Sequence, residues 1–174
     1  MGWTFLRDAP ADPKQYLDSL HTWEDAYGKR RPLRSAMDGT TYYAAVEHGR
    51  PDNTVIVFAV VALTQRYRGE WGYKAMDESM GPCESRCPPS ILALLTPTDI
   101  EWANNWRDRC RRNHEAKRNT PKPAAGMKVQ YGGRSYRLDD PAGPRRGWNV
   151  TRDDGRRFRM GANHLAKALR GHHT

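Results

Sequence analysis

The longest apolar stretch of the chain runs from Thr54 to Gln65, where TVIVFAVVALTQ has almost no polar interruption. A strand with one solvent-exposed face alternates apolar and polar residues, so this composition predicts a central strand buried on both faces. The preceding segment Thr40 to Glu47, TTYYAAVE, has high β propensity, and a turn at Gly49 to Asn53 separates the two segments. We therefore predict a β-hairpin at the centre of the first half of the chain.

Helical periodicity is found on both sides of this hairpin. Asp12 and Pro13 are typical of a helix start, and apolar residues at three-and-four spacing predict a helix from Pro13 to Ala26. A second helix is predicted from Asp99 to Lys117, capped by Thr98 or Asp99. Its predicted buried face comprises Ile100, Trp102, Ala103, Trp106 and Cys110, and its predicted outer face comprises Arg107, Arg109, Arg111 and Arg112.

The remaining segments of the first half are predicted to be shorter or less regular. A short strand is expected at Gly2 to Arg7, and the proline within the basic stretch Lys29 to Arg34 predicts a connector. Trp71 to Asp99 has neither a helical nor a strand period, apart from a short helix predicted at Ser90 to Leu95. Irregular sequence between a strand and a helix often carries functional residues.

Beyond residue 126 the hydrophobic period changes from helical to alternating. Gly132-Gly133 and Asp154-Gly155 predict tight turns, and Asn163 is the expected cap of a short terminal helix. Short strands with glycine-rich turns in about fifty residues indicate a small SH3-like barrel. Its four strands are predicted at Met127 to Tyr131, Ser135 to Leu138, Trp148 to Thr151 and Arg157 to Met160.

These elements predict the fold class and the domain organisation. The class is α+β: an N-terminal α+β domain with a central β-hairpin and two helices, residues 1–117, plus a small C-terminal SH3-like all-β barrel with a terminal helix, residues 127–174. Residues 118–126, RNTPKPAAG, contain two prolines and no bulky apolar side chain, which is typical of a linker.

The charge of the chain is concentrated in its C-terminal part. The formal net charge is +9, with 11 Lys and Arg against 13 Asp and Glu in residues 1–100, and 18 against 7 in residues 101–174. A basic surface rich in arginine favours phosphate partners, so we expect DNA or RNA binding. The predicted contact residues are Arg107, Arg111, Arg134, Arg137, Arg145, Arg146, Arg152, Arg156, Arg157 and Arg159.

The lengths of the apolar runs and the number of cysteines predict the cellular compartment of the protein. No apolar run reaches the roughly 18 to 20 residues that span a bilayer, and the N-terminus has no signal-peptide pattern. Three cysteines do not form a complete disulfide framework. We expect a soluble cytoplasmic protein with no membrane partner and with free thiols or a metal site.

One set of residues has the donor types of a structural zinc site. Cys110 and His114 are four residues apart and share one face of the predicted helix, while Cys83 and Cys87 lie in the preceding segment. Together they would supply a tetrahedral Cys3His site. The alternative is that Cys87 and Cys110 are small core residues and that Cys83 is exposed.

Asp77 and Glu78 are the candidate catalytic residues. Adjacent carboxylates in a loop can bind a divalent ion or act as acid and base, which predicts a metal-dependent nuclease or hydrolase. The alternative is that such an acid caps a helix or a turn. The chain has no phosphate-binding P-loop, dinucleotide fingerprint, Gly-x-Ser-x-Gly elbow or zincin motif. We therefore expect a binding protein rather than an enzyme.

Several segments resemble a known family. GYKAMDESMGPC, the Cys-Pro at 87 and 88, and ILALLTPTD followed by WANNWRDRCR resemble an uncharacterised family of unknown function encoded by phages, plasmids and other mobile elements. The opening MGW and the FAVVALT strand also fit, and the resemblance covers roughly residues 1–112. It implies an accessory protein of a mobile genetic element that acts on host nucleic-acid machinery or host defence, and it implies no catalytic residue.

Three functional hypotheses follow from the sequence. The first is a nucleic-acid-binding accessory protein whose arginine-rich barrel contacts the phosphate backbone of DNA, RNA or a host nucleoprotein. The second is an inhibitor of a host defence complex, anti-CRISPR-like or anti-restriction-like, that acts by protein contact. The third is the metal-dependent nuclease or hydrolase that uses Asp77 and Glu78. The oligomeric state does not follow from the sequence.

Overall fold

The computed structural model describes residues 2–143 and 146–171 of the chain. Their contacts divide the chain into two compact units, Met1–His114 and Glu115–Thr174. The first unit combines a six-stranded sheet with helices, and the second combines a four-stranded sheet with a terminal helix. The predicted α+β class is confirmed.

The first unit is built on a curled, antiparallel sheet with the strand order β1-β6-β5-β4-β3-β2. Two helices and a 3-10 turn at Glu78–Met80 accompany the sheet, and the long helix α3 follows. The elements are β1 (Thr4–Leu6), α1 (Pro13–Leu20), β2 (Trp23–Asp25), β3 (Gly28–Asp38), β4 (Thr41–Gly49), β5 (Val55–Tyr67), β6 (Glu70–Asp77), α2 (Pro89–Leu92) and α3 (Glu101–Asn119).

The predicted hairpin is confirmed as the β4-β5 pair at the centre of this sheet. Both faces are covered, which explains why β5 is apolar at consecutive positions. One face, here called the α3 face, packs Tyr43 and Ala59 against Trp106 and other residues of α2 and α3. The opposite α1 face packs side chains such as Tyr42 against Leu17 of α1.

Helix α1 is shorter than predicted. Asp12 caps it as expected, since its carboxylate accepts hydrogen bonds from the amides of Lys14 (2.9 Å) and Gln15 (3.2 Å). The prediction that it extends to Ala26 is wrong, because the helix ends at Leu20 and Trp23–Asp25 forms the edge strand β2. Trp23 gains a partner there, the Arg30 guanidinium, which lies 4.8 Å from its ring centroid.

The basic stretch Lys29 to Arg34 was predicted to be a connector, and that prediction is wrong. It lies within β3, an 11-residue strand. Proline lacks the amide that a strand ladder uses, and the chain accommodates Pro32 by a register shift between Pro32 and Arg34. Proline does interrupt the hydrogen-bond ladder, but a β-bulge accommodates this interruption without ending the strand.

The segment Trp71 to Asp99 is more regular than predicted at its start. Its first seven residues belong to β6, and the 3-10 turn follows them. The predicted short helix is found as Pro89–Leu92, so it begins one residue earlier and ends three residues earlier than predicted. The irregular part is therefore limited to the residues around α2.

The orientation of α3 differs from the prediction at both faces. Ala103, Trp106 and Cys110 are buried as expected. Ile100 and Trp102 are 45% and 65% exposed, so their predicted burial is wrong. Arg107 was predicted to face solvent and is only 5% exposed.

The second unit contains four antiparallel strands in the order β10-β9-β8-β7, with the terminal helix α4 against the sheet. Val129, Leu138 and Val150 on the sheet pack against Leu165 and Leu169 of α4. The Gly132-Gly133 turn has φ of 57° and 73°, which suits two glycines in a tight hairpin. The bounds are β7 (Lys128–Tyr131), β8 (Arg134–Pro141), β9 (Trp148–Arg152), β10 (Arg157–Met160) and α4 (Ala162–Arg170).

Among the described residues, none of the helices has the length and apolar character that crossing a membrane requires.

One feature of the α1 face makes stability depend on pH. His21 stacks on Tyr42 with ring centroids 6.1 Å apart, and its Nε2 is buried without a hydrogen-bond partner. Burial lowers the pKa of His21; the Arg30 charge adds to this, and the Asp18 charge opposes it. The unfolded chain therefore binds a proton at this residue at a higher pH than the folded chain does.

We expect the free energy of unfolding to fall as the pH drops below about 6.5, the usual histidine pKa, towards the lower folded value. His21→Phe keeps the stacked ring and removes the titration, so its stability should change less over this pH range. Urea unfolding of both proteins at several pH values measures the difference. Identical pH profiles would contradict the assignment to His21.

Candidate nucleic-acid interface

Strand register places four of the C-terminal cations, Lys128, Arg137, Arg157 and Arg159, on one face of the second sheet. The buried residues Leu138 and Val150 oppose each other and point towards α4. The alternating residues therefore point to the other side, here called the outer face. On it Lys128 opposes Arg137, Arg137 opposes Thr151 and Thr151 opposes Arg157. Three cations and one hydroxyl thus form a row across all four strands.

A second row lies beside the first on the outer face. Asp140 opposes Asn149, and Asn149 opposes Arg159. The Asn149 amide donates to the Asp140 carboxylate at 2.7 Å, while Arg159 is exposed and makes no ion pair within the described residues. The strand positions of the outer face are all polar or charged. They are Lys128, Gln130, Ser135, Arg137, Asp139, Asp140, Asn149, Thr151, Arg157 and Arg159.

Asp139 organises the centre of the first row. It occupies a bulge of β8, where the Thr151 hydroxyl donates to its carboxylate at 2.7 Å. Arg137 approaches it at 3.3 Å and Arg157 at 3.9 Å. The Thr151 hydrogen bond and, next, the Arg137 guanidinium lower the pKa of Asp139, so it stays ionised at neutral pH. Its side chain is 13% exposed, whereas those of Arg137 and Arg157 are 59% and 71% exposed.

The other predicted arginines of this unit lie at the start of a strand, in loops and turns, or on the face towards α4. Arg134 starts β8 and Arg146 lies in the loop before β9, both exposed and without an ion pair within the described residues. Arg152 pairs with Asp154 and lies 5.1 Å from the Phe158 ring centroid on the face towards α4. Arg156 lies 3.7 Å from the Asp154 carboxylate. Arg145 is outside the described residues.

Arg107, a predicted phosphate contact, and Glu78, a predicted catalytic acid, are bound to each other. Arg107 Nε donates to Glu78 Oε2 at 2.7 Å and Nη2 donates to Oε1 at 2.5 Å, with both side chains at most 6% exposed. Arg107 Nη1 also donates to the Thr96 carbonyl at 2.7 Å. Because the guanidinium is enclosed in this fork, it does not present itself to an external phosphate.

Asp77 is placed as a turn cap. Its carboxylate accepts the Ser79 amide at 2.9 Å and the Ser79 hydroxyl, at the start of the 3-10 turn. Asp77 and Glu78 therefore point to different partners. Within the described residues, these two residues are not part of any group of three or more His, Cys, Asp or Glu side chains that could hold a metal ion.

Helix α3 holds the irregular segment through its side chains. Trp106 Nε1 donates to the Glu84 carbonyl at 2.7 Å, and Arg109 donates to the Pro82 carbonyl at 2.6 Å. Arg111, another predicted contact, is exposed and pairs with Asp108 at 2.8 Å. The loop from Gly81 to Pro88 is thus fixed to the helix.

The four predicted zinc ligands are not gathered into a metal site. Over residues 2–143 and 146–171, no three His, Cys, Asp or Glu side chains are arranged to hold a metal ion. Cys87 and Cys110 are buried in the core of the α3 face, and Cys83 is exposed. His114 Nε2 lies 2.7 Å from the Cys87 carbonyl oxygen, which orients the ring towards the backbone.

The sequence patterns did not identify Lys128 and Asp139 as part of the site. The signal that could have found them is the alternation of the strands, since residues 128, 137, 151 and 157 share a face once the hairpin register is known. The bulge at Asp139 has no clear sequence signature, because it depends on the partner strand.

The Glu78 and Arg107 pair predicts a large stability effect. Arg107→Met leaves a buried, unpaired carboxylate, so we expect a loss of about 3 to 5 kcal/mol in the free energy of unfolding. Glu78→Leu combined with Arg107→Met removes both charges and should recover part of that loss. The matched control, Arg111→Met one turn along α3, breaks an exposed pair and should cost less than about 1 kcal/mol. Equal effects of the two single substitutions in denaturant unfolding would contradict the burial.

The cysteines predict a difference in reactivity. Burial raises the pKa of Cys87, and it raises that of Cys110 to about 11, so both thiols stay protonated. With an aromatic disulfide reagent at about pH 8, Cys83 should react quickly and the other two only after unfolding. If all three react slowly until a chelator is added, the thiols are held by a metal, as the zinc prediction requires.

Comparisons with known proteins identify one family segment. A family model described as a domain of unknown function, DUF6927, matches residues 97–133, from just before α3 to the turn after β7. No curated protein and no solved structure matches the chain. The segment that matches contains Arg107, Cys110, His114 and Lys128, and the family description gives it no activity and no source.

Proposed function

We propose that the protein binds nucleic acid through the outer face of its C-terminal sheet and contacts mainly the phosphate backbone. The observation that carries this proposal is the row formed by Lys128, Arg137, Thr151 and Arg157 across four strands. A row of cations on a polar sheet face is complementary to the negative charges of a phosphate chain.

The row lowers the stability of the folded sheet, because it places like charges next to each other. Lys128 and Arg137 are directly opposite on adjacent strands, an arrangement of like charges that destabilises a sheet. Asp139 lies beside Arg137 and Arg157 and makes no ion pair with Lys128 within the described residues. A partner rich in phosphates would turn this repulsion into attraction.

The composition of the outer face favours a nucleic acid over a protein partner. Protein interfaces depend on a few apolar or aromatic anchors that become buried. The outer face has no such side chain at its strand positions, because the aromatic residues Tyr136 and Phe158 lie on the opposite face with Val150. Contacts to a phosphate backbone would be independent of sequence.

The resemblance to proteins of mobile genetic elements suggests the context of this binding. We infer an accessory role at host nucleic acid or a host nucleoprotein. Inhibition of a defence complex by protein contact remains the alternative that the same resemblance supports. No reaction is proposed for Asp77 and Glu78, since one caps a turn and the other is paired with Arg107.

The test uses two cations that make no ion pair within the described residues. Lys128→Gln with Arg159→Gln should weaken binding to duplex and single-stranded DNA without disturbing the contacts of Asp139. For the unmodified protein, log K should fall with log salt at a slope of about −3 to −4, and the double variant should reduce the slope by roughly 2. Fluorescence anisotropy at several salt concentrations measures both quantities.

The matched control removes two exposed arginines of the first unit, Arg34→Gln with Arg112→Gln. It changes the net charge equally and should leave the slope unchanged. An equal effect of control and test variants would mean that net charge alone causes binding. Absence of binding at low salt would refute the proposal.

A further inference from the structure

A row of exposed aromatic rings lies at one edge of the first sheet. The ring centroids of Trp3 and Phe5 are 6.2 Å apart, with planes 30° apart, and those of Phe5 and Tyr67 are 6.4 Å apart. Their exposed fractions are 38%, 41% and 54%. A ring that serves only the core is normally buried, so this row, here called the aromatic row, calls for another explanation.

The backbone beneath Phe5 is shaped to receive its ring. Phe5 opposes Gly72 on β6, and a Cβ at position 72 would lie 2.7 Å from two carbons of the Phe5 ring. The absence of a side chain on Gly72 therefore allows the ring to lie across the strand. Phe5 is held in place from below while its other side faces solvent.

The turn after Tyr67 places a cation on the row at a conformational cost. Arg68 has φ of 50° and Gly69 has φ of 86°, the pattern of a hairpin turn in which Asn and Gly are usual. A left-handed conformation is unfavourable for an arginine, because its Cβ comes too close to the neighbouring carbonyl oxygen. Its guanidinium lies 5.2 Å from the Tyr67 ring centroid. Strain retained at an exposed position points to function rather than stability.

Charge around the row favours an anionic ligand. Arg68 is exposed at one end, and Lys74 lies on the same face as Gly72, two residues along β6. Glu70, which opposes Tyr67, is the acid closest to the row in the strand register. Aromatic rings beside cations are the usual means by which proteins bind unpaired nucleotides, because bases stack on the rings and phosphates approach the cations.

We propose that the aromatic row is a binding site for the unpaired bases of single-stranded nucleic acid. The centroid spacings of the row are close to the distance between successive nucleotides of an extended strand. Bases within a duplex are stacked on each other and do not reach such a surface. The site belongs to the first unit and does not depend on the outer face of the C-terminal sheet.

The experiment measures the anisotropy of fluorescein-labelled oligothymidylate of about fifteen nucleotides, alone or annealed to oligoadenylate, with the full-length protein. Tyr67→Ala should weaken binding of the single strand at least about fivefold and leave duplex binding unchanged. Trp3→Ala should act in the same way. The loss should persist at high salt, whereas the Lys128 and Arg159 substitutions lower the salt slope for both ligands.

Arg68→Gly separates binding from folding. Glycine adopts the observed backbone without strain, so the melting temperature should stay the same or rise. Single-strand affinity should nevertheless fall about twofold to fivefold with the loss of the cation. The control is Tyr27→Ala, which removes an isolated ring that is 78% exposed and should change neither ligand's affinity.

Three outcomes would overturn the inference. One is that Tyr67→Ala and Trp3→Ala leave single-strand binding unchanged, and another is that Tyr27→Ala weakens it equally. The third is that the row substitutions change the oligomeric state in light scattering and not the affinity, which would make the row a contact between copies of the chain.

Discussion

The first unit depends on one buried ion pair at the place where two strands separate. The β5-β6 ladder ends at the pair of Val60 and Asp77, so the next amides of β5 lose their strand partner. The Glu78 carboxylate accepts the Ala59 amide at 3.3 Å, and the Thr96 hydroxyl accepts the Val57 amide at 3.2 Å. Arg107 then binds both Glu78 and the Thr96 carbonyl. One guanidinium therefore completes the edge of the central strand and fixes α3 to it, since each buried group needs its partner.

The sequence predicts those elements whose signal is local. The β4-β5 hairpin is visible from consecutive apolar residues, and the C-terminal turns from Gly132-Gly133 and Asp154-Gly155. The position of Arg107 is not predictable in this way, because its burial depends on Glu78, 29 residues earlier. Helical periodicity counts an arginine as polar and assigns it to the outside. Only the pairing partner makes the buried position stable.

The same limit applies to the candidate interface. The excess of positive charge beyond residue 100 is evident from the sequence, yet its arrangement on one face follows from strand register. Register also separates Arg137 and Arg157 of the outer face from Arg152, which lies beside Phe158 on the other side. The aromatic row was not predicted at all, since Tyr67 is 62 residues from Phe5 and only β6 brings them together. Gly72 gives no sequence signal for the row, because a single glycine in a strand does not show that an aromatic ring lies over it.

The length of the outer strands has a consequence for how the protein behaves at high concentration. Both edges of the six-stranded sheet are formed by strands of three residues, β1 and β2, although the strands inside it have up to 13. Unpaired amides and carbonyls on a long edge invite pairing with another chain and growth into fibrils. The strands β1 and β2 offer too few of these groups for a stable intermolecular ladder. Beyond residues 28–30, which pair with β2, the outer edge of β3 is interrupted by Pro32 and by the bulge that follows it. A large, apolar central strand can thus be kept in a basic protein without seeding aggregation.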